Sequence, residues 1–327
     1  VFDGLTFSDN DLWVLTDGRP GHISQTLGLA ERLAGDPVVK RIRLRAPFRQ
    51  ASPFLGCAGA RALAIGSAPI ATPWPKLVIT SGRQAIPLAL MIRKATGQAT
   101  PIVNVQDPGY FRRRFDLIVV PEHDRLSGPN ILSTVGALGR VTPQKLAAAA
   151  AEFGPALAHL PRPRVAVLIG GANAIYRTPP DVAERIGSDL RRLADIGAGL
   201  MITFSRRTGP AMESAVRAQL AGADAVIWDG CGPNPYFAYL GLADHILATE
   251  DSASMISEAA TTGKPISILP LVGGSPKFAR FHDSMRARGV TRAFAGGLDT
   301  WHYDPLDETG RAAQAVRALF QTNRQTL

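Results

Sequence analysis

Val165-Ala166-Val167-Leu168-Ile169-Gly170-Gly171-Ala172-Asn173 is the stretch whose reading decides the fold. Five apolar residues in a row read as a strand with no polar face, which suits a parallel sheet covered on both sides. The Gly-Gly turn then hands the chain to a helix over Pro179–Ile196, opened by Pro179-Pro180 and Asp181. The same alternation continues downstream. Gly199–Phe204, Ala225–Trp228, His245–Thr249 and Pro265–Pro270 are predicted strands. Pro210–Leu220, Ser252–Thr262, Ser275–Arg288 and about Glu308–Gln321 are predicted helices.

Working upstream, the first half has the same rhythm. Leu12–Thr16 is a strand running into the turn Asp17–Gly21, and His22–Ala34 has helical apolar spacing. Val38–Leu44, Lys76–Thr80, Pro101–Val105 and Asp116–Pro121 are further strands, with a helix through Ala95 and an Ala-rich one over Gln144–Leu160. Pro161-Arg162-Pro163-Arg164 punctuates the two halves. The expected architecture is α/β, with two Rossmann-like domains facing across a cleft: residues 1–160 and 161–327, the last helix belonging to the second or packing back on the first.

Composition narrows the function classes. The chain has 327 residues, 46% of them apolar, and a net charge of +9 that points to anionic partners. Two cysteines, Cys57 and Cys231, exclude a disulfide framework and a cysteine-rich zinc site. Val1–Asn10 is polar and acidic, unlike a signal peptide, and no apolar run is long enough to span a membrane. There is no dinucleotide G-x-G-x-x-G, Walker A, H-E-x-x-H or G-x-S-x-G motif; Gly263-Lys264 is followed by Pro265. Nucleic acid is disfavoured by an aromatic content of 7% and the absence of helix-turn-helix or finger patterns.

The predicted strand ends carry the chemistry. Gly170, Gly171 and Asn173, then Ser205, Arg206, Arg207 and Thr208, then Asp251 and Ser252, then the turn to Lys277 form one rim in the second domain. Glycines that admit a close ligand, helix N-termini and basic side chains suit a diphosphate, although such residues also populate ordinary loops. Glu258, two turns into the helix after Ser252 and preceded by Ser254 and Met255, is placed either to accept two ribose hydroxyls or to face solvent. In the first domain His22 is a candidate general base or a packing histidine, with Asp17 and Gly21 before it and Gln25 a turn later. Arg41, Arg43 and Arg45 share one face of a strand, and Arg112-Arg113-Arg114 form a second cluster. These are either solvated faces or a patch for anionic lipid.

Taken together, Asp17-Gly18-Arg19-Pro20-Gly21-His22…Gln25, Ser205-Arg206-Arg207-Thr208, Asn234-Pro235-Tyr236, Asp251-Ser252-x-Ser254-Met255-x-Ser257-Glu258 and Lys277-Phe278-x-Arg280 resemble the mitochondrial fission "elongated mitochondria" family and its bacterial members. The second half is also similar to GT-B glycosyltransferases, with Gly170-Gly171 opening the domain and Ser252–Glu258 leading to Thr262-Gly263-Lys264-Pro265. That resemblance implies a nucleotide-diphosphate sugar as donor substrate, no cofactor, and no required metal. Gly170, Gly171, Asn173, Ser205–Thr208, Asp251, Ser252, Ser254, Met255, Glu258, Lys277 and Arg280 would bind the donor. His22 or Asp17 would be the base, and Gly21, Gln25 and Arg83 would meet an envelope-lipid or lipopolysaccharide-type acceptor. Arg41, Arg43, Arg45, Arg112 and Arg113 would rest on the inner face of the cytoplasmic membrane. The alternatives are a non-catalytic scaffold at a membrane surface, and a nucleotide-sugar epimerase on the same fold.

Overall fold

A computed structural model describes residues 7–8, 10–52 and 61–324; Cys57 and most of Val1–Asn10 lie outside them. The chain divides into two units, residues 1–140 with 307–327, and residues 141–306.

The first unit is built on one sheet whose paired strands all run parallel, in the order β2-β1-β3-β4-β5-β6. Its strands are β1 (Leu12–Thr16), β2 (Val38–Arg41), β3 (Leu77–Ser81), β4 (Ile102–Val105), β5 (Leu117–Pro121) and β6 (Ile131–Thr134). Its helices are α1 (Pro20–Leu33), α2 (Phe48–Ala51), α3 (Ile86–Ala95) and the C-terminal α10 (Glu308–Arg324). Because strand side chains alternate between faces, β1 sends Leu12 and Val14 to one core and Trp13 and Leu15 to another. The first core is closed by Leu29, Ala30 and Leu33 of α1 and by Ala312, Ala313 and Val316 of α10. The second is closed by Ile86, Leu88, Ala89 and Ile92 of α3.

The second unit repeats the plan. Its parallel sheet has the order β10-β9-β7-β11-β12-β14, formed by β7 (Arg164–Ile169), β9 (Gly199–Phe204), β10 (Ala225–Ile227), β11 (His245–Thr249), β12 (Ile266–Leu269) and β14 (Thr291–Ala293). β8 (Tyr176–Arg177) and β13 (Val272–Gly273) make a small antiparallel ribbon. The helices are α4 (Pro143–Leu157), α5 (Pro180–Asp195), α6 (Pro210–Gln219), α7 (Tyr236–Leu242), α8 (Ala253–Ala260) and α9 (Pro276–Ala287). β7, expected from its apolar run, is 1% exposed or less from Val165 to Ile169.

The division falls at Arg140/Val141 and not at the Pro161–Arg164 punctuation. The Ala-rich α4 packs against α7, where a Cβ on Gly241 would stand 3.0 Å from Leu146 O. α10 belongs to the first unit. Its Glu308 Oε2 accepts the Val135 N–H at 3.0 Å, its Thr309 Oγ1 accepts that of Gly139 at 3.0 Å, and nearby Asp307 pairs with Arg32 at 2.8 Å.

Strand order sets where ligands go. In an open parallel sheet the crevice opens at the carboxyl ends of the two strands whose connections leave in opposite directions. In the first unit these are β1 and β3; in the second they are β7 and β11.

Candidate functional site

In the second unit, the loops after β7, β9 and β11 are tied together by one carboxylate. The Asp251 side chain is fully buried. Its Oδ2 accepts the Gly171 N–H at 3.1 Å and Arg207 Nη2 at 2.7 Å, and its Oδ1 accepts the Thr249 hydroxyl at 2.7 Å. Thr249 Oγ1 in turn accepts the Gly170 N–H at 2.7 Å. A buried charge is tolerable only when paired and hydrogen-bonded in this way.

This network changes the reading of the Gly-Gly turn. A Cβ on Gly170 would lie 2.0 Å from Asp251 Oδ1, and one on Gly171 would lie 2.0 Å from Arg207 O. The glycines are therefore demanded by the protein's own carboxylate and backbone, and both N–H groups already have acceptors. Arg207 is likewise committed to Asp251. Ser205 Oγ accepts the Arg207 N–H at 3.1 Å, and Thr208 Oγ1 donates to Ile169 O at 3.0 Å, so these two hydroxyls shape the loop. Asn173 Oδ1 accepts the N–H groups of Ile175 and Tyr176 at 2.7 and 2.9 Å, which launches β8.

The remaining predicted donor residues come from α8, α9 and Arg206. Ser252 caps α8 by accepting the Met255 N–H at 3.4 Å, and no acid occupies the first turn of that helix. Ser254 and Met255 are half-buried there, Arg206 and Lys277 are exposed, and Arg280 is half-buried on α9. Glu258, also on α8, accepts the Tyr236 hydroxyl on Oε2 at 2.9 Å. Burial, and then the charge of Glu258, push the Tyr236 phenol well above its ordinary range, so it stays a donor. The Asn234 side chain accepts the Tyr236 N–H at 3.0 Å and fixes the turn that delivers it.

In the first unit the switch point is occupied by His22 and Asp17. His22 Nδ1 is 3.1 Å from Asp17 Oδ1, and the two side chains are 16% and 6% exposed. A carboxylate oxygen accepts here, so Nδ1 is the donor in this contact and Asp17 fixes the orientation of the imidazole. Gly82, at the end of β3, has φ +86° and leaves the space: a Cβ there would be 2.9 Å from His22 Nδ1 and 3.2 Å from Asp17 Oδ2. Beside it the Ser81 hydroxyl is buried with no partner among the described residues. Gly18, at φ +83°, needs its glycine; Gly21 has nothing near its missing side chain, so close packing does not explain it. Gln25 is buried and Arg83 exposed.

The basic residues form two separate groups. β2 ends at Arg41, but its alternation continues past that end: Ile42 and Leu44 are buried, while Arg41, Arg43 and Arg45 are exposed together on the other side. Arg112 is clamped in two bonds by Asp107, at 2.8 and 2.6 Å, while Arg113 is exposed. Strands β2 and β4, which precede the two groups, are three strand spacings apart, roughly 14 Å. Among the described residues no cluster of three His, Cys, Asp or Glu side chains could hold a metal, and no helix is long and apolar enough to cross a membrane.

Residues 20–320 match the family model described as mitochondrial fission ELM1. The chain is 31% identical over 270 residues to the mitochondrial fission protein ELM1 of Arabidopsis thaliana, covering 74% of this chain and 63% of the plant protein. It is 27% identical to an uncharacterized protein of Rickettsia prowazekii, covering 96% of this chain and 99% of that one. Among solved structures, a putative UDP-N-acetylglucosamine 2-epimerase from Listeria monocytogenes superposes with a TM-score of 0.56 at 11% identity, covering 98% of each chain. MurG from Acinetobacter baumannii gives 0.50 at 16% identity, covering 95% of this chain and 89% of that one. These likenesses establish the GT-B type of fold for the chain.

Proposed function

The chain belongs to the mitochondrial fission ELM1 family, and from that premise we propose that it is a nucleotide-sugar-dependent glycosyltransferase, with the donor on the second unit and the acceptor on the first. The carrying observation is that side chains suited to this chemistry lie beyond the carboxyl ends of the strands, after β9, β11 and β13 in the second unit and at the β1–β3 switch point in the first. In the second unit, the capped start of α8 and the basic Arg206, Lys277 and Arg280 suit the diphosphate, and the Tyr236-held Glu258 suits the ribose diol. In the first, Asp17 orients His22.

In this reading His22 Nε2 takes the proton of the acceptor hydroxyl. The acceptor oxygen bonds to the anomeric carbon, and the bond from that carbon to the nucleoside diphosphate breaks. The guanidinium, ammonium and helix-terminal groups offset the charge on the leaving diphosphate without a metal ion. The acceptor proposed is an envelope lipid or lipopolysaccharide-type glycolipid, met at the inner membrane face by the Arg41, Arg43 and Arg45 group. Calorimetric titration with UDP-, GDP-, ADP- and CMP-sugars tests the reading: binding of at least one is expected, and binding of none overturns it.

A second reading is favoured by the epimerase fold likeness: the same donor site with a hydrolysing, epimerising outcome. Product analysis without an acceptor separates the two, since epimerisation proceeds there and transfer does not. If nucleotide sugars do not bind, and neutralising Arg41, Arg43 and Arg45 alone abolishes cellular function, the non-catalytic scaffold is left.

A further inference from the structure

Charge is not spread evenly along this chain. From Pro37 to Gln106 there are ten Lys and Arg residues and no Asp or Glu, so this stretch carries +10 of a net +9 and the rest of the chain sums to −1. Lys76 and Arg93 are paired with Asp11 and Asp116, which lie outside the stretch. Arg41, Arg43, Arg45, Arg49 and Arg61 are exposed and have no acidic partner among the described residues.

Backbone hydrogen bonds gather these five arginines at the β2 edge of the first sheet. The chain that follows β2 is met by residues 62–68 returning alongside it. Arg45 N–H donates to Ala62 O at 2.9 Å, and the Ala64 and Ala68 N–H groups donate to Arg43 O and Arg41 O at 2.8 Å each. Leu44 and Leu63 form an antiparallel bridge. Arg61 precedes the Ala62 that Arg45 bonds, and Arg49 N–H donates to Arg45 O at 3.0 Å. Ile42, Leu44, Ala62 and Ile70 turn inward to the core closed by α3, which leaves the arginines outside.

Between its bonds to Arg43 and Arg41 the returning chain bulges. Residues 64–67 form a tight turn, closed by Ser67 N–H donating to Ala64 O at 3.1 Å, with Gly66 at φ +82°. Ser67 Oγ accepts the Arg43 N–H at 3.1 Å and donates to Arg43 O at 3.0 Å, which pins the turn beside Arg43. At its tip is Ile65, the most exposed large apolar side chain among the described residues. Gly66 and Ser67 set the conformation of this turn, so it needs no apolar side chain, and an isoleucine at its tip gains nothing in water.

We propose that the Ala64–Ser67 turn is a shallow membrane anchor, with Ile65 entering the headgroup–acyl boundary of an anionic bilayer and the five arginines pairing with lipid phosphates around it. Arginine stems lie along such a boundary while their guanidiniums stay at the phosphates. The apolar tip favours a lipid surface over a nucleic acid: Ile65 offers no hydrogen bond to a phosphate or a base edge, and Ser67 is already bonded to Arg43. This anchor rests on the membrane-facing part of the proposed function and uses no residue of the donor site.

The test is co-sedimentation of the full chain with vesicles of phosphatidylcholine alone and of phosphatidylcholine mixed equally with phosphatidylglycerol. Ile65→Ser and Ile65→Trp are compared with Ile196→Ser, which alters an exposed isoleucine of the second unit. Thermal melts confirm that each variant is folded. The wild type should partition onto the mixed vesicles at least about tenfold more strongly than onto phosphatidylcholine, and added salt should weaken it. Ile65→Ser should weaken binding to the mixed vesicles about fivefold or more, and Ile196→Ser should leave it unchanged. Brominated acyl chains should quench the fluorescence of Ile65→Trp beyond that of the wild type. Equal binding to both vesicles, undiminished binding of Ile65→Ser, or quenching of Ile65→Trp no greater than the wild type's overturns the anchor. So does tighter binding, at matched salt, to duplex DNA than to the mixed vesicles. If Ile65→Ser does not fold, the Ile65→Trp quenching decides alone. Vesicle binding absent with nucleotide-sugar binding present overturns the anchor and spares the donor site; the reverse overturns the donor site and spares the anchor.

Discussion

A carboxylate on a helix serves a ribose only if it is held in one orientation, and Tyr236 does the holding for Glu258. Tyr236→Phe removes one hydrogen bond to a charged group, worth about 1.5–3 kcal/mol, so nucleotide affinity should fall at least tenfold. Glu258→Gln should cost more, and 2′-deoxynucleotides should be penalised less in both variants than in the wild type. Equal calorimetric affinity of Tyr236→Phe and the wild type would remove Glu258 from the ribose site. His22 depends on Asp17 in the same manner. Asp17→Asn should lower the transfer rate by about 10²–10⁴, the usual worth of an oriented base, and shift the imidazole tautomer seen by nitrogen NMR. An unchanged rate would make the pair structural. His22, Asp17 and Glu258 could be named as candidates from the sequence because each sits in a motif. Tyr236 and Gly82 were not assigned these roles, because each meets its partner only when separate strands and helices come together; contacts of that kind leave no local pattern.

At the scale of elements, most strands declared themselves, the three-residue β10 among them, while β6, β8, β13 and β14 did not. β8, β13 and β14 are two or three residues each, too short to carry alternation, yet they build the antiparallel ribbon and the outer sheet edge. The Gly170-Gly171 turn was visible, but its reason was not, since the sequence does not reveal that Asp251 fills the space beside it. The reason has a consequence. Asp251→Ala would leave the Gly171 N–H, the Thr249 hydroxyl and Arg207 without their common acceptor, a loss of about 3–5 kcal/mol by comparison with broken buried pairs. Urea unfolding reads this directly, and a loss under 1 kcal/mol would show that the loops hold together otherwise. β11 adds a pH dependence. His245, 3.0 Å from Ser267 Oγ, has its pKa pushed from 6.5 down to about 4, chiefly by burial. Its folded pKa is depressed, so this contribution is intact above pH 6.5 and is lost as pH falls toward 4, about 3 kcal/mol at most. His282 shifts in the same direction. His245→Asn should flatten the acid limb of a stability–pH profile; an unchanged slope would place the acid sensitivity elsewhere.

For the whole molecule, the sequence announced two similar α/β units but misplaced the seam, because Pro161–Arg164 is the most conspicuous punctuation and packing is silent in sequence. The structure makes the seam testable. Residues 141–306 contain the second sheet with α4 in place, its Thr142 cap accepting the Lys145 N–H at 3.1 Å and its surface covering α7. A fragment of residues 141–306 should therefore melt cooperatively and bind nucleotide like the full chain. A fragment of residues 161–306 lacks α4 and exposes the α7 face that Gly241 opens to Leu146. Uncovering such a helix face removes burial at roughly 25 cal/mol per Å², enough to erase much of the stability of a domain this size. The shorter fragment should melt at least ~10 °C lower or fail to unfold cooperatively. In the same way residues 1–140 without α10 lose Ala312, Ala313 and Val316 from one core and the acceptors for Val135 and Gly139, so that fragment should not fold until residues 307–327 are supplied in trans or by fusion. If residues 161–306 match 141–306 in melting temperature and cooperativity, α4 is a linker helix after all and the seam returns to Pro161.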